Sequence, residues 1–250
     1  MKILVLGGIA ESKRITQQLI ERGHEVIYSI AGLVRQPDLP CELRTGGFSS
    51  QDETGAEGLG SYCKKHKVEL LLDTTHPYAV GISANAVLAA ENAGIDCWRY
   101  TRPGWDAASY ENWHDFGDWD DLILQIRDFQ HPFFTIGASV LEQLDRRPDH
   151  QQWIVRSARK LPDIDGIITI NAIGPFYYED ELSLMRQNNV DVLISKNSGC
   201  PHLAGKLDAA RSLGIPVFVQ QRPLLARPNK CFDEVEGLLA EIPEFNTSEN

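Results

Sequence analysis

The sequence predicts an α/β fold of two lobes with mostly parallel sheets and a cleft between them, and three observations carry that expectation. The first is a repeated joint in which a helix-like stretch ends at Gly or Asn and a β-branched run follows. Gly23 precedes Glu25-Val26-Ile27-Tyr28, Gly94 precedes Ile95-Asp96-Cys97-Trp98, Asn189 precedes the run from Val190 to Ile194, and Gly214 precedes Ile215-Pro216-Val217-Phe218-Val219. Gly and Asn accept the left-handed conformation that closes a helix, so four such joints spell helix, turn, strand in succession. The second is that the strands are continuous apolar runs, Leu70-Leu71-Leu72, Val192-Leu193-Ile194 and Val217-Phe218-Val219. Such runs suit a parallel sheet covered by helices on both faces. The third is an interruption: Pro103-Gly104 opens a stretch with Trp105, Trp113 and Trp119 among acids, and the pattern restarts at Phe133-Phe134-Thr135-Ile136-Gly137, read as a strand entering a helix. The expected division is a first domain over residues 1–110 and a second over residues 111–250.

Composition narrows the function classes. With 250 residues, 42% of them hydrophobic and 24% charged, and a mean hydropathy of −0.26, the chain reads as soluble rather than disordered, fibrous or membrane-spanning. Met1-Lys2 followed by Ile3-Leu4-Val5-Leu6 reads as a first strand and not as a signal peptide, because the apolar run soon meets Glu11. The formal charge of −11 excludes a general nucleic-acid or anionic-membrane surface, both of which reward a basic excess. An anionic ligand therefore needs a local basic pocket. Cys41, Cys63, Cys97, Cys200 and Cys231 form no Cys-x-x-Cys pair, which suits reduced thiols in a cytoplasm.

The candidate chemistry follows the strands in chain order. Leu4-Val5-Leu6-Gly7-Gly8-Ile9-Ala10-Glu11 is a strand, a glycine turn and a helix start. That arrangement lets backbone N–H groups approach a phosphate, although two adjacent glycines fall short of a full Gly-x-Gly-x-x-Gly pattern. The second strand, Glu25 to Ile30, ends in Ser29-Ile30-Ala31-Gly32. No Asp or Glu stands where an NAD-specific site places an acid on the ribose hydroxyls. Small polar residues with Arg35 close by point to NADP; the alternative is a plain loop with a solvated arginine.

Asp73-Thr74-Thr75-His76-Pro77-Tyr78-Ala79 leaves the strand Leu70-Leu71-Leu72 at the sheet edge where ligands bind in open parallel sheets. His76 and Asp73 are candidates for acid–base work; against that, Thr75 reads as an N-cap and Asp73 as a turn former. The stretch from Ala79 to Ala93 carries one stripe of Val80, Ala84 and Val87 and another of Ile82, Ala86, Ala89 and Ala93, a wide apolar face expected to be buried. Ser195-Lys196-Asn197-Ser198-Gly199 leaves a strand end in the second lobe in the same way. Lys196, Lys206, Arg211 and Arg222 could form the local positive pocket, Lys196 most directly because it stands at a strand's end. His24, His66, His114, His131, His150 and His202 show no metal-ligand spacing, so no metal is expected. Neither a Gly-x-Ser-x-Gly elbow nor a P-loop is present, against hydrolase and kinase readings.

In order along nearly the whole chain, these segments resemble the precorrin-6A reductase family of cobalamin biosynthesis. The matching pieces are Leu6-Gly7-Gly8 with Glu11, Ser29-Ile30-Ala31-Gly32, Gly46-Gly47-Phe48, Asp73-Thr74-Thr75-His76-Pro77-Tyr78-Ala79, Arg102-Pro103-Gly104-Trp105, Gly174-Pro175-Phe176, Ser195-Lys196-Asn197-Ser198-Gly199, Lys206-Leu207 and Arg222-Pro223. The resemblance implies two Rossmann-like domains and hydride transfer from NADPH to the C18–C19 double bond of a corrin precursor. On that basis Gly7, Gly8, Ile9, Glu11, Ser29, Ala31, Gly32, Arg35, Gly47, Phe48, Thr75 and His76 are expected at the cofactor. Tyr78, Arg102, Trp105, Lys196, Ser198, Gly199, Lys206 and Arg222 are expected at the carboxylate-fringed tetrapyrrole, with His76 or Lys196 giving the proton. Three departures stand out: Leu33 where an Arg is expected after Ala-Gly, Ser49-Ser50 in place of a second Gly-Gly, and Cys200 in place of a Gly. The protein is expected to act in the cytoplasm as a monomer or weak homo-oligomer. The rival readings are an NADP-dependent reductase of another small substrate and a non-catalytic NADPH sensor.

Overall fold

The computed structural model describes residues 1–32 and 38–244. The chain divides into two compact units, Met1–Pro103 with Pro223 onward, and Gly104–Arg222. Each holds six parallel strands.

In the first unit the strands are β1 (Lys2–Leu6), β2 (Glu25–Ile30), β3 (Glu42–Thr45), β4 (Leu70–Asp73), β5 (Asp96–Tyr100) and, from the chain's end, β12 (Lys230–Phe232). Helices α1 (Ala10–Glu21), α2 (Gly55–His66), α3 (Val80–Ala93) and α7 (Val235–Ala240) accompany them. The spatial order is β12-β5-β4-β1-β2-β3, so chain direction across the sheet reverses between β1 and β4. Ligands in open parallel sheets bind beyond the carboxyl ends at that reversal. Alternate residues of the strands bury two cores: Ile3, Val5, Val26, Leu70 and Leu72 pack with α1 and α7, and Leu4, Leu6, Ile27, Leu71 and Cys97 pack with α2 and α3. Pairing in register sets Arg44, Ser29, Leu6, Asp73 and Arg99 side by side across five strands. This row shares the alternation of Leu4 and Leu71.

The second unit contains β6 (Trp113–Phe116), β7 (Pro132–Phe134), β8 (Trp153–Ser157), β9 (Ile167–Asn171), β10 (Val192–Lys196) and β11 (Val217–Gln220). Its helices are α4 (Trp119–Gln125), α5 (Tyr178–Gln187) and α6 (Gly205–Leu213). The order β6-β11-β10-β7-β8-β9 reverses between β7 and β10. Phe134, Trp153, Val155 and Ile194 fill one face, and Phe133, Ile154, Leu193 and Val219 pack the other with α5 and α6.

The four helix-closing joints are present, with Gly23, Gly94, Asn189 and Gly214 all at positive φ. Two expectations are corrected. The tail does not belong with residues 111–222: Lys230, Cys231 and Phe232 pair with Trp98, Arg99 and Tyr100 of the first sheet, and the first boundary falls at Pro103. The strand at Phe133 does lead into a helix, a 3-10 helix over Ala138–Arg146. In α3 the expected wide buried face is narrower: Ala86 and Ala89 of the second stripe are buried against α2 and Val87 of the first is partly buried on the same core, while Val80 is 45% exposed. Small residues let those helices approach: a Cβ on Gly60 would stand 3.4 Å from the Ala89 carbonyl oxygen.

Leu71 is fully buried in the α2–α3 core. Leu71→Ala is expected to lower unfolding free energy by about 2–5 kcal/mol, measured by urea denaturation, with no loss of helical signal at zero denaturant.

Candidate functional site

In the first unit a cavity of about 360 Å³ opens beyond the carboxyl ends of β1, β2 and β4, a size suited to a small-molecule or cofactor site. Leu6, Gly7, Gly8, Ser29, Ala31, Gly46, Gly47, Phe48, Thr75 and His76 line it, with Ala79, Ile82 and Asn85 from the start of α3. Gly7 is required by packing, since a Cβ there would fall 2.2 Å from the Tyr28 ring. Gly8 lies against the backbone of Thr75 and His76, which a Cβ would meet at 3.4 Å. The turn after β1 and the loop after β4 thus approach through a glycine.

A buried carboxylate sets the shape of the β4 loop. Asp73, 1% exposed, accepts hydrogen bonds through Oδ1 from the Thr75 amide at 3.1 Å and the Thr75 hydroxyl at 2.7 Å. Its Oδ2 accepts from the Ser83 hydroxyl at 2.7 Å and from Arg99 Nε at 2.8 Å. Arg99 also donates to the Ala226 carbonyl at 2.7 Å. With both oxygens committed, Asp73 positions the loop. Thr75 is not an N-cap: the α3 cap is Ala79, and the Thr75 hydroxyl is spent on Asp73. His76 borders the cavity with its Nδ1 3.4 Å from the Tyr78 amide and its ring 5.6 Å from that of Tyr78.

A second connection joins the glycine turn to the same loop. The Ser12 hydroxyl donates to the Thr74 carbonyl at 2.8 Å and accepts long bonds from the Gly8 and Ile9 amides at 3.4 and 3.3 Å. Thr74 Oγ1 lies 2.8 Å from the Leu6 carbonyl oxygen and 2.9 Å from Ser12 Oγ. Glu11, expected at the cofactor, and Arg102, expected at the substrate, form an ion pair with each other at 3.2 Å. Arg35 and Leu33 lie outside the described residues, and Gly32 has open space around its Cα.

In the second unit the expected residues gather at the carboxyl ends of β7 and β10. Asn197 grips the Trp105 backbone, accepting from its amide at 2.7 Å and donating to its carbonyl at 3.4 Å. The Asn197 carbonyl accepts from Arg222 Nε at 2.9 Å. Ser198 turns back so that its amide meets the Lys196 carbonyl at 2.8 Å, and Gly199 follows at φ +67°. Burial lowers the Lys196 pKa from its ordinary value. Lys206, 5% exposed, donates to the Thr135 hydroxyl at 3.0 Å, with its ammonium 5.3 Å from the Trp105 ring centre. Beside it a buried Arg156–Glu181 ion pair sits with the guanidinium 3.7 Å from the Phe176 ring. Arg211, by contrast, pairs with Asp208 on an exposed face.

Ser12, Thr135, Arg156, Glu181 and Asn197 are the residues that sequence reasoning missed. The only advance signals were a Ser in the first turn of the first helix and an Asn beside Lys196. Among the described residues no three His, Cys, Asp or Glu side chains gather as a metal site. All five cysteines are thiols, with Cys63 and Cys97 pushed up by burial to about 11 and about 12. No helix among the described residues is long and apolar enough to cross a membrane.

The family model described as "Precorrin-6x reductase CbiJ/CobK" matches residues 2–242. A precorrin-6A reductase of Rhodococcus erythropolis is 38% identical over 246 residues, covering 96% of each chain. One from Rhodobacter capsulatus is 32% identical over 252 residues, again covering 96% of each. Among solved structures, CobK precorrin-6A reductase matches with a TM-score of 0.85 at 28% identity, over 96% of this chain and 95% of that one.

Burial, the largest cause, and the nearby Arg156 lower the Lys206 pKa from 10.5 to about 7. Between those values the unfolded chain holds a proton that the folded chain has released, so this residue makes stability rise with pH from about 7 to 10.5. Lys206→Met is therefore expected to be more stable than wild type below pH 7, by an amount on the order of a few kcal/mol. The difference should shrink as pH rises through that window. Paired denaturation curves across pH read this directly, and a difference independent of pH would contradict it.

Proposed function

This chain belongs to the precorrin-6x reductase family and is an oxidoreductase, and from that premise we propose that it reduces precorrin-6A, or its cobalt form, with NADPH, delivering hydride to the C18–C19 double bond. The observation that carries the cofactor half of this reading is the glycine-bordered cavity at the strand-order reversal of the first sheet, with Ser29 and no acid at the end of β2. The turn over residues 7–9 at the start of α1 suits a diphosphate, and the long Ser12 bonds there are weak enough to yield. Phe48 and the His76 loop border the remaining space. When bound, the nicotinamide supplies the hydride; the protein positions it and keeps water out.

The tetrapyrrole carries several carboxylates, and the second unit meets that demand within an acidic protein. Lys196, Lys206 and Arg222 stand with Trp105, Ser198 and Gly199 at the strand ends, and cations there would pair with carboxylates. In the first unit Tyr78 lies beside His76 and is assigned to the same substrate. Burial makes Lys196 readier than an exposed lysine to give up its proton. We assign the proton donor to Lys196 or His76, and the enzyme to the cytoplasm as a monomer or weak homo-oligomer.

The deciding assay follows NADPH absorbance together with the ring's own spectrum on adding enzymatically prepared precorrin-6A, with NADH and the cobalt form as parallel arms. Oxidation coupled to a ring shift supports the reading; folded protein that binds NADPH and turns over neither substrate overturns it. Replacing the proton donor, through Lys196→Met or His76→Asn, is expected to lower kcat by about a hundredfold or more. NADPH affinity should change by less than about tenfold. If neither substitution lowers kcat, both assignments fail.

A further inference from the structure

A cation unaccounted for by the residues above stands beside the first-unit cavity. Arg44 lies on β3 in register with Ser29 at the end of β2. Its guanidinium carbon is 3.5 Å from the Phe48 ring centre and 5.2 Å from that of Tyr62. One terminal nitrogen donates to the Gly46 carbonyl at 2.7 Å and to Ser29 Oγ at 3.3 Å. The other donates to the Gly47 carbonyl at 2.6 Å. These bonds use three of the five N–H groups of a guanidinium, leaving Nε–H and one terminal N–H for another acceptor.

The charge balance is equally specific. Arg99 and Arg102 of the same unit are neutralised by Asp73 and Glu11. Arg44 has no carboxylate within ion-pair distance among the described residues, and its half-buried guanidinium is held rigid by neutral carbonyls and aromatic rings. An arginine kept this way is suited to a ligand's phosphate. Its place matters because the end of β2 is where a dinucleotide's adenosine ribose is read. There the chain offers Ser29, which Arg44 already touches, and no acid that would repel a 2′-phosphate.

We propose that Arg44 forms the subsite for the 2′-phosphate of NADPH and is the residue that separates NADPH from NADH. The proposal rests on the dinucleotide reading of the cavity. It gives the phosphate a cation despite Leu33, which stands where the family resemblance leads one to expect arginine. Ser29 accepts from the guanidinium at 3.3 Å, and the Gly46 and Gly47 carbonyls fix its orientation.

The test measures NADPH and NADH affinity by titration of nucleotide fluorescence for wild type, Arg44→Gln and Arg44→Lys, with thermal melts to establish folding. Competition by 2′,5′-ADP and 5′-AMP isolates the phosphate. Wild type should favour NADPH by about a hundredfold or more. Arg44→Gln should lose most of that preference through NADPH alone, with NADH affinity within about threefold, and Arg44→Lys should fall between them. Those results, with 2′,5′-ADP losing its advantage over 5′-AMP only in the variants, establish the subsite. Retained discrimination in Arg44→Gln overturns it. So does an equal loss of both nucleotides, which would mark Arg44 as a brace for the glycine loop and nothing more. Equal binding of both nucleotides by wild type overturns the subsite and leaves the dinucleotide cavity standing. Binding of neither overturns both.

Discussion

Parallel pairing in register is the constraint from which the first-unit site follows. Because β3, β2, β1, β4 and β5 align Arg44, Ser29, Leu6, Asp73 and Arg99, one residue at or next to the carboxyl end of each of five strands joins a single row. Asp73 is the member that fixes its neighbours. Its two oxygens gather donors from the loop it begins, from α3 and from β5, so the loop bearing His76 has one arrangement relative to the sheet. A buried carboxylate with every lone pair engaged costs far less than an unpaired one. The Ser12–Thr74 contact then ties the glycine turn to that loop. The cavity is thus bounded by backbone held from behind, an arrangement that would lower the ordering cost of binding the proposed dinucleotide.

The second unit meets a different demand. The protein carries a net charge of −11, so affinity for a polycarboxylate must come from cations withdrawn from the general surface. Lys206 is buried against an aromatic ring and a hydroxyl and Arg156 against aromatic rings, and among the described residues Arg156 alone of the two has a carboxylate partner. Burying an amine costs free energy, and that cost is what pulls the Lys206 pKa down. A carboxylate ligand beside it would favour the charged form again. Under the proposed function, ligand binding and lysine protonation would be linked at this site.

Local patterning made the elements legible. Gly23, Gly94, Asn189 and Gly214 marked helix ends because few other residues adopt positive φ there, and apolar runs marked buried parallel strands. The ordered motifs also placed Gly7, Gly8, Ser29, Gly47, Phe48, Thr75 and His76 at one cavity. Pairings set by tertiary structure stayed hidden. The return of Lys230–Phe232 to the first sheet is a contact with Trp98–Tyr100 that no local signal encodes. Glu11 and Arg102 lie 91 positions apart, and the ion pair between them is a tertiary contact that neither residue signals when read alone. Arg44 escaped notice because a short, half-exposed strand, Glu-Leu-Arg-Thr, reads as surface until its register with Ser29 is known.

Hydrogen–deuterium exchange with and without saturating NADPH tests most directly whether the nucleotide occupies the first-unit cavity. The account predicts slower exchange at amides of residues 7–9, 46–48, 75, 76, 78 and 79, in the segments bordering that cavity. Protection confined to the second unit, or none at saturation, would contradict it.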